Sequence, residues 1–157
     1  MHKMIEELED CPIIAAVKDD EGLEACLESE SSMVFVLYGD ICTIGEVVKK
    51  IQSRGKRAVI HMDLIQGLSA KEAAVNFLKE YTRADGIITT RPALIRRAKE
   101  LGLFTVLRFF VIDSMALENI QKQTAAVMPD VVEILPGLMP KMIRKIRKSI
   151  RRPLIAG

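Results

Sequence analysis

Residues 84–111 read ADGIITTRPALIRRAKELGLFTVLRFFV, and this stretch predicts two strands joined by a helix. Its two apolar runs, Gly86–Thr89 and Phe104–Val111, show little alternation with polar residues, which is typical of parallel strands covered on both faces. Between the runs, apolar residues recur at helical spacing: Leu94, Ile95, Ala98 and Leu101. Gly102 suits the end of that helix. The stretch therefore predicts a βαβ unit.

The same unit recurs along the rest of the chain. Five further runs predict strands: Ile13–Val17, Met33–Leu37, Ala58–Met62, Val131–Leu135 and Leu154–Ala156. Strand starts about 23 residues apart favour a TIM-like (β/α) barrel over a flavodoxin-like open sheet, which usually has five parallel strands. Eight strands at this spacing would need roughly 185 residues. We therefore expect one α/β domain over residues 1–157, with seven strands visible and the eighth βα unit missing through truncation at the C-terminal end.

Composition excludes several classes of protein. The 157 residues are 49% hydrophobic, 28% charged and 4% aromatic, which is typical of a globular domain with an aliphatic core. Cys11, Cys26 and Cys42 lack the spacing of a disulfide framework or a zinc site. The first ten residues are too acidic for a signal peptide, and no apolar run approaches the roughly 20 residues that cross a bilayer. We expect a cytoplasmic protein with no membrane partner, no metal and no cofactor.

Polar residues lie near the exits of six predicted strands. In (β/α) barrels the C-terminal ends of the strands carry function, whereas the opposite ends are chiefly structural. The candidates for a ligand site are therefore these: Lys18, Asp19, Asp40, His61, Asp63, Thr89, Thr90, Arg91, Arg108 and Glu133. His61 and Asp63 are two residues apart, so they face the same side of their strand and can serve one site.

Alternatives remain open for several of these residues. Arg108 and Glu133 lie in otherwise apolar strands, and an unpaired buried charge is too costly to keep. They either pair across adjacent strands or contact a ligand's anionic group and hydroxyl, and residue type does not separate the two. For His61 the competing interpretation is a core histidine with satisfied hydrogen bonds. Asp40 follows Gly39 and is compatible with a simple loop residue.

Two glycines mark a predicted phosphate site. Phosphates in these barrels bind to backbone N–H groups of loops after the seventh and eighth strands. Gly157 ends the seventh predicted strand and would begin such a loop. Gly137 follows Pro136 in the turn after the sixth strand, close to the same quadrant of the barrel.

A basic amphipathic helix is predicted over residues 141–152, KMIRKIRKSIRR. Met142, Ile143, Ile146 and Ile150 form an apolar stripe, and the helix carries no acid. Seven cations are expected to face outward: Lys141, Arg144, Lys145, Arg147, Lys148, Arg151 and Arg152. They form either a solvated outer face or an electrostatic footprint for nucleic-acid phosphates. Membrane binding is disfavoured because the apolar face is narrow and lacks Trp and Phe.

The motifs in combination resemble those of the glycerol-3-phosphate responsive antiterminator family. The similarity covers nearly the whole chain and rests on these segments: IIAAVKD, FVLYGDI, KRAVIHMDLIQGLS, ADGIITTRPALIRRAKELGL, TVLRFFVIDS, VEILPGLMPK and RPLIAG. HMDLIQGL followed by DGIITT and EILPG is the most specific combination. Members of the family continue past the seventh strand with a second glycine and a final βα unit.

The resemblance implies a (β/α) barrel that binds glycerol 3-phosphate and acts on the leader mRNA of glycerol-catabolic genes to prevent premature termination and stabilise the message. A ligand with one phosphate and two hydroxyls suits a lumen with cations and carboxylates. The ligand residues expected on this basis are Lys18, Asp40, His61, Asp63, Arg108, Glu133, Gly137 and Gly157. The resemblance also favours RNA contacts from the basic helix, and a homo-oligomer stays open.

An enzyme acting on a small phosphorylated metabolite is the rival hypothesis. In that case Lys18 or His61 would act as acid or base, and Asp63 would orient it or hold a metal. Lyase, isomerase and aldolase chemistries are all compatible with this fold. The absence of a strong nucleophile motif favours a non-enzymatic regulator.

Overall fold

Seven parallel strands form one curved sheet in the computed structural model, which describes residues 2–113 and 115–157. Each strand pairs with its neighbours in the sequence, as in a TIM-like half-barrel and not as in a flavodoxin-like sheet. The strands are β1 (Ala15–Val17), β2 (Met33–Val36), β3 (Arg57–His61), β4 (Gly86–Thr89), β5 (Phe104–Phe110), β6 (Val131–Leu135) and β7 (Leu154–Ala156). No ladder joins β7 to β1 within the described residues. The predicted α/β fold with seven strands is confirmed.

Seven α-helices in the described residues accompany the sheet, and all of them except the first cover its outer face. They are α1 (His2–Asp10), α2 (Asp20–Leu27), α3 (Ile44–Ser53), α4 (Glu72–Phe77), α5 (Pro92–Glu100), α6 (Ala116–Val127) and α7 (Pro140–Ser149). A π-helical turn, Leu78–Thr82, continues α4. None of the helices in the described part of the chain is long and apolar enough to cross a membrane.

Predicted and observed bounds agree at both ends for three of the strands. Gly86–Thr89, Val131–Leu135 and Leu154–Ala156 are strands as predicted, and Gly102 ends α5 in the left-handed conformation at φ +72°. The predicted basic helix is too long, because α7 ends at Ser149 and Ile150 is already extended. Arg151 and Arg152 therefore lie in the loop before β7.

The lumen of the half-barrel is an apolar core of its own. Side chains alternate along the strands, so every second residue points inward. The inward cluster comprises Met33, Phe35, Val59, Ile88, Phe104, Val106 and Val131. By the same alternation His61 follows Val59 into the lumen, Arg108 follows Val106, and Glu133 follows Val131.

Helix α1, which the strand pattern did not predict, packs at the N-terminal end of this core. Met4 is buried in the lumen cluster, with Ile5 and Leu8 packed against it. Glu7 accepts two hydrogen bonds from Arg57 at 2.9 and 2.7 Å, and these tie α1 to the start of β3. The spacing of the apolar residues at i, i+1 and i+4 was the signal for this helix.

The outer helices differ greatly in how firmly they pack. Helix α3 buries Ile44, Val47, Val48 and Ile51. Helix α7 has the same length but buries only Ile146. The cationic residues of α7 occupy most of its remaining surface.

Candidate functional site

Arg108 and Glu133 form a buried ion pair near the C-terminal ends of the strands. Adjacent strands β5 and β6 place the two residues in direct register. Arg108 Nε donates to Glu133 Oε2 at 2.8 Å, and Nη2 donates to Oε1 at 3.2 Å. The predicted pairing is therefore present. Nη1 of Arg108 makes no hydrogen bond within the described residues, which leaves donor capacity for an anion.

His61 lies on the same inward face with only 3% of its surface exposed. Its Nδ1 is buried and has no hydrogen-bond partner in the part of the chain that the structure describes. Burial, reinforced by the positive charge of Arg108, lowers the pKa of His61 to about 4. The imidazole is therefore neutral near pH 7, and its buried Nδ1 keeps unused hydrogen-bonding capacity. The alternative of a fully satisfied core histidine does not hold in this structure.

Asp63 lies in a 3₁₀ turn, Met62–Leu64, and not in β3, which ends at His61, so the prediction that both residues share one side of that strand is wrong. From this turn Asp63 links the loops that follow β3 and β4. Its carboxylate accepts hydrogen bonds from the Thr89 hydroxyl at 3.0 Å and from the backbone N–H and hydroxyl of Thr90 at 3.0 and 2.9 Å. Burial opposes its charge, but these hydrogen bonds outweigh burial and hold the pKa of Asp63 below its ordinary value. Asp63 thus orders the rim next to His61, and Arg91 Nε approaches it at 3.9 Å.

Gly137 and Gly157 meet directly above Glu133. The Gly137 N–H donates to the carbonyl of Gly157, and the Gly157 N–H donates to the carbonyl of Ile134. A Cβ on Gly157 would lie 2.7 Å from Glu133 Oε1, so only glycine lets the backbone approach this carboxylate. The two predicted glycines are brought together, but both N–H groups are already donated within the chain.

Lys18 and Asp40 lie farther out on the same rim. Lys18 is exposed beyond the end of β1 and makes no ion pair with any described residue. Asp40 accepts hydrogen bonds from the N–H groups of Cys42 and Thr43 and so shapes the turn before α3. Of these two predicted residues, Lys18 has the charge available for a ligand, whereas the Asp40 carboxylate is used locally.

A cavity of about 490 Å³ opens where β7 faces β1, and Glu133 and Gly157 line it. Ala16 and Phe35 also line it, although neither was among the predicted site residues. Period-two alternation along β1 and β2 was the signal for them, since Ala16 is two residues before Lys18. No group of three or more His, Cys, Asp or Glu within the described residues could hold a metal ion.

The cations of α7 and its following loop form a second polar surface. Six of them are exposed, and Arg152 is half-buried: Lys141, Arg144, Lys145, Arg147, Lys148, Arg151 and Arg152. No carboxylate among the described residues lies within ion-pair distance of any of the seven. The surface therefore keeps its full positive charge for an external partner.

Comparisons with known proteins agree on one family. The model of the family described as glycerol-3-phosphate responsive antiterminator matches residues 13–157. The chain is 49% identical over 146 residues to the Escherichia coli K12 protein YgcP, an alignment that covers 93% of this chain and 76% of YgcP.

Two solved structures are also similar. One is the glycerol uptake operon antiterminator regulatory protein from Listeria monocytogenes str. 4b F2365, with a TM-score of 0.88 and 33% identity over 92% of this chain and 78% of that one. The other is a glycerol uptake operon antiterminator-related protein from Thermotoga maritima MSB8, with a TM-score of 0.79 and 39% identity over 91% of this chain and 80% of that one.

Proposed function

Because this chain belongs to the glycerol-3-phosphate responsive antiterminator family, we propose that it binds glycerol 3-phosphate at the C-terminal end of the half-barrel. In response to this ligand, the protein binds the leader mRNA of glycerol-catabolic genes. The observation that carries the proposal is the neutral, unpartnered imidazole of His61 beside the buried Arg108–Glu133 pair. Acting on a nascent transcript, the protein would work in the cytoplasm.

The polar groups of this site suit the two halves of the ligand. Arg108 Nη1 and the exposed Lys18 ammonium supply positive charge for the phosphate. The His61 imidazole and the Glu133 carboxylate supply partners for the hydroxyls. Asp63 and Asp40 fix the rim loops around them, and the glycines at 137 and 157 let the backbone approach Glu133 closely.

The RNA contact is assigned to α7 and its following loop. Phosphates are recognised chiefly by unpaired cations, and this binding weakens as the salt concentration rises, because releasing counterions into concentrated salt gains less free energy. The basic surface provides seven such cations without a neighbouring acid. Its weak attachment through Ile146 also allows ligand binding to change its position.

The test is equilibrium binding of the protein to leader RNA, with and without glycerol 3-phosphate, across a salt series. We expect the ligand to raise RNA affinity, and by thermodynamic linkage RNA must raise ligand affinity by the same factor. RNA affinity indifferent to the ligand would overturn the sensor function. Phosphorus NMR of the ligand during incubation tests the rival enzymatic function, since turnover would convert it.

A matched pair of variants tests whether the basic surface of α7 binds RNA. Replacing Arg144, Lys145, Arg147 and Lys148 by Gln should weaken RNA binding and make the slope of log affinity against log salt shallower by about 3. The control replaces four exposed cations on other helices and loops by Gln: Lys49, Lys71, Lys79 and Arg96. Equal losses in both variants would mean that net charge, and not α7, governs RNA binding.

A further inference from the structure

A second cavity lies at the opposite end of the barrel, between the last turns of α6 and α7. Its volume is about 380 Å³, within the range of small-molecule sites. Its lining residues are Gln121, Thr124, Ala125, Met128, Ser149, Ile150, Arg151 and Arg152. The cavity thus continues the basic surface of α7, because two of its cations form one wall.

Thr124 gives this cavity an unused hydrogen-bonding group. Its residue surface is only 5% exposed, and its Oγ1 has no hydrogen-bond partner among the described residues. A helical threonine normally donates to a carbonyl one turn earlier, and buried polar groups without any partner are rare in native proteins. The Oγ1 atom has almost no accessible surface, so Thr124 would use its donor and acceptor toward a molecule in the cavity only after rotation about χ1.

The remaining lining combines an apolar wall with cations. Ala125, Met128 and Ile150 provide the apolar surface, and Met128 is left half-exposed where α6 ends in the left-handed conformation. Methionine sulfur makes favourable contacts with aromatic rings. Guanidinium groups such as those of Arg151 and Arg152 both stack on bases and bind phosphates.

We propose that this cavity receives one unstacked base of the bound RNA while the cations of α7 bind the neighbouring phosphates. The inference rests on the proposed function and adds a base-binding site to it. A planar ring with polar edges fits an apolar wall that carries one free hydroxyl and one amide, Thr124 and Gln121. A simple phosphate site would not need the apolar wall.

The test compares two substitutions in neighbouring positions of α6. Ala125→Phe fills the cavity, whereas Ala126→Phe adds the same ring at an exposed position outside its lining. Binding is measured by fluorescence anisotropy with labelled twelve-nucleotide single strands of U, A or C. We expect Ala125→Phe to weaken binding roughly tenfold, within the range of one lost base-stacking contact, and Ala126→Phe to leave it unchanged.

A milder variant keeps the proposal testable if Ala125→Phe fails to fold. Thr124→Val removes the hydroxyl at nearly constant shape and should reduce the differences in affinity among the three strands. Wild-type affinities in both Ala125→Phe and Thr124→Val would overturn the base site and leave the proposed function intact. Absence of RNA binding by the unaltered protein would instead overturn the proposed function, and the base site with it.

Discussion

The two ends of the half-barrel each contain an arginine paired with a glutamate, yet their surroundings differ. At the N-terminal end, Arg57 binds Glu7 of α1 and approaches Asp85 at 3.5 Å. Both side chains of the Arg57–Glu7 pair keep more than a quarter of their surface exposed. At the C-terminal end, the Arg108 and Glu133 side chains are only 10% and 5% exposed.

The neighbours of the two pairs sharpen the contrast. Asp85 also accepts hydrogen bonds from Ala58 N and Gln52 Nε2, and at the same end Thr105 and Asp130 satisfy each other. Beside Arg108, by contrast, His61 Nδ1 has no partner in the described chain. The polar groups next to Arg57 are thus satisfied within the fold, whereas the group next to Arg108 keeps hydrogen-bonding capacity at the end where barrels of this class carry function.

The largest expected effect comes from removing one partner of each pair. Glu133→Ala leaves Arg108 buried without its counter-charge and should lower the free energy of unfolding by about 3–5 kcal/mol. Glu7→Ala breaks a pair that water partly screens and should cost only about 1–2 kcal/mol. Urea unfolding of both variants measures the difference, and equal losses would remove the distinction between the two ends.

A double variant separates stability from binding in this comparison. Arg108→Met with Glu133→Leu replaces the ion pair by apolar groups of similar size, which is often neutral for stability. We expect it to recover most of the stability lost in Glu133→Ala while abolishing glycerol 3-phosphate binding, measured by calorimetry. Retained ligand binding would show that the buried pair serves only the fold.

A smaller effect is expected from the pH dependence of His61. Its pKa falls from 6.5 in the unfolded chain to about 4 in the folded one, so between these values the unfolded state binds more protons. Stability is therefore unaffected by His61 above pH 6.5 and falls as the pH drops toward 4, by about 3 kcal/mol in total.

The difference in unfolding free energy between the wild type and His61→Phe isolates this contribution. Subtracting the unfolding free energy of the variant cancels the contribution of the carboxylates that titrate in the same range, including Glu7 and Asp63. A difference that stays constant between pH 6.5 and 4 would mean that His61 is not buried beside Arg108 in solution.

The smallest expected effect on stability belongs to Lys18, at the rim. Lys18→Gln should change the free energy of unfolding by less than about 0.5 kcal/mol, because the side chain is exposed and unpaired among the described residues. It should nevertheless weaken glycerol 3-phosphate binding about tenfold if its ammonium contacts the phosphate. Lys79→Gln, at the other end, is the control and should change neither quantity.

The fold could be predicted from the sequence because its signals are local. Aliphatic runs and helical spacing mark the repeating βα units directly, whereas the inward direction of Arg108, Glu133 and His61 becomes clear only from the structure. Helix α1 was missed because it precedes the first strand and lies outside the repeating pattern. The end of α7 was placed three residues late because Ile150 continues the apolar spacing although its backbone is extended.

The site was predictable only in part, because hydrogen-bond partners depend on tertiary structure. Asp63 and Asp40 have the residue type of ligand contacts, but nearby hydroxyl and N–H groups already occupy their carboxylates. The missing partner of His61 depends on the packing of neighbouring strands. Likewise, the cavity at Thr124 depends on how the last turns of α6 and α7 are placed in the folded protein.

The sparse packing of α7 has a consequence for its amide hydrogens. Helix α7 buries one side chain, Ile146, whereas α3 buries four. Local opening of α7 therefore exposes a much smaller apolar area. Its amides should therefore exchange with deuterium well before those of α3, although both helices span ten residues. The segment that runs from the loop after β6 to the Thr124 cavity can thus shift at a lower free-energy cost than α3, while the sheet stays closed to exchange.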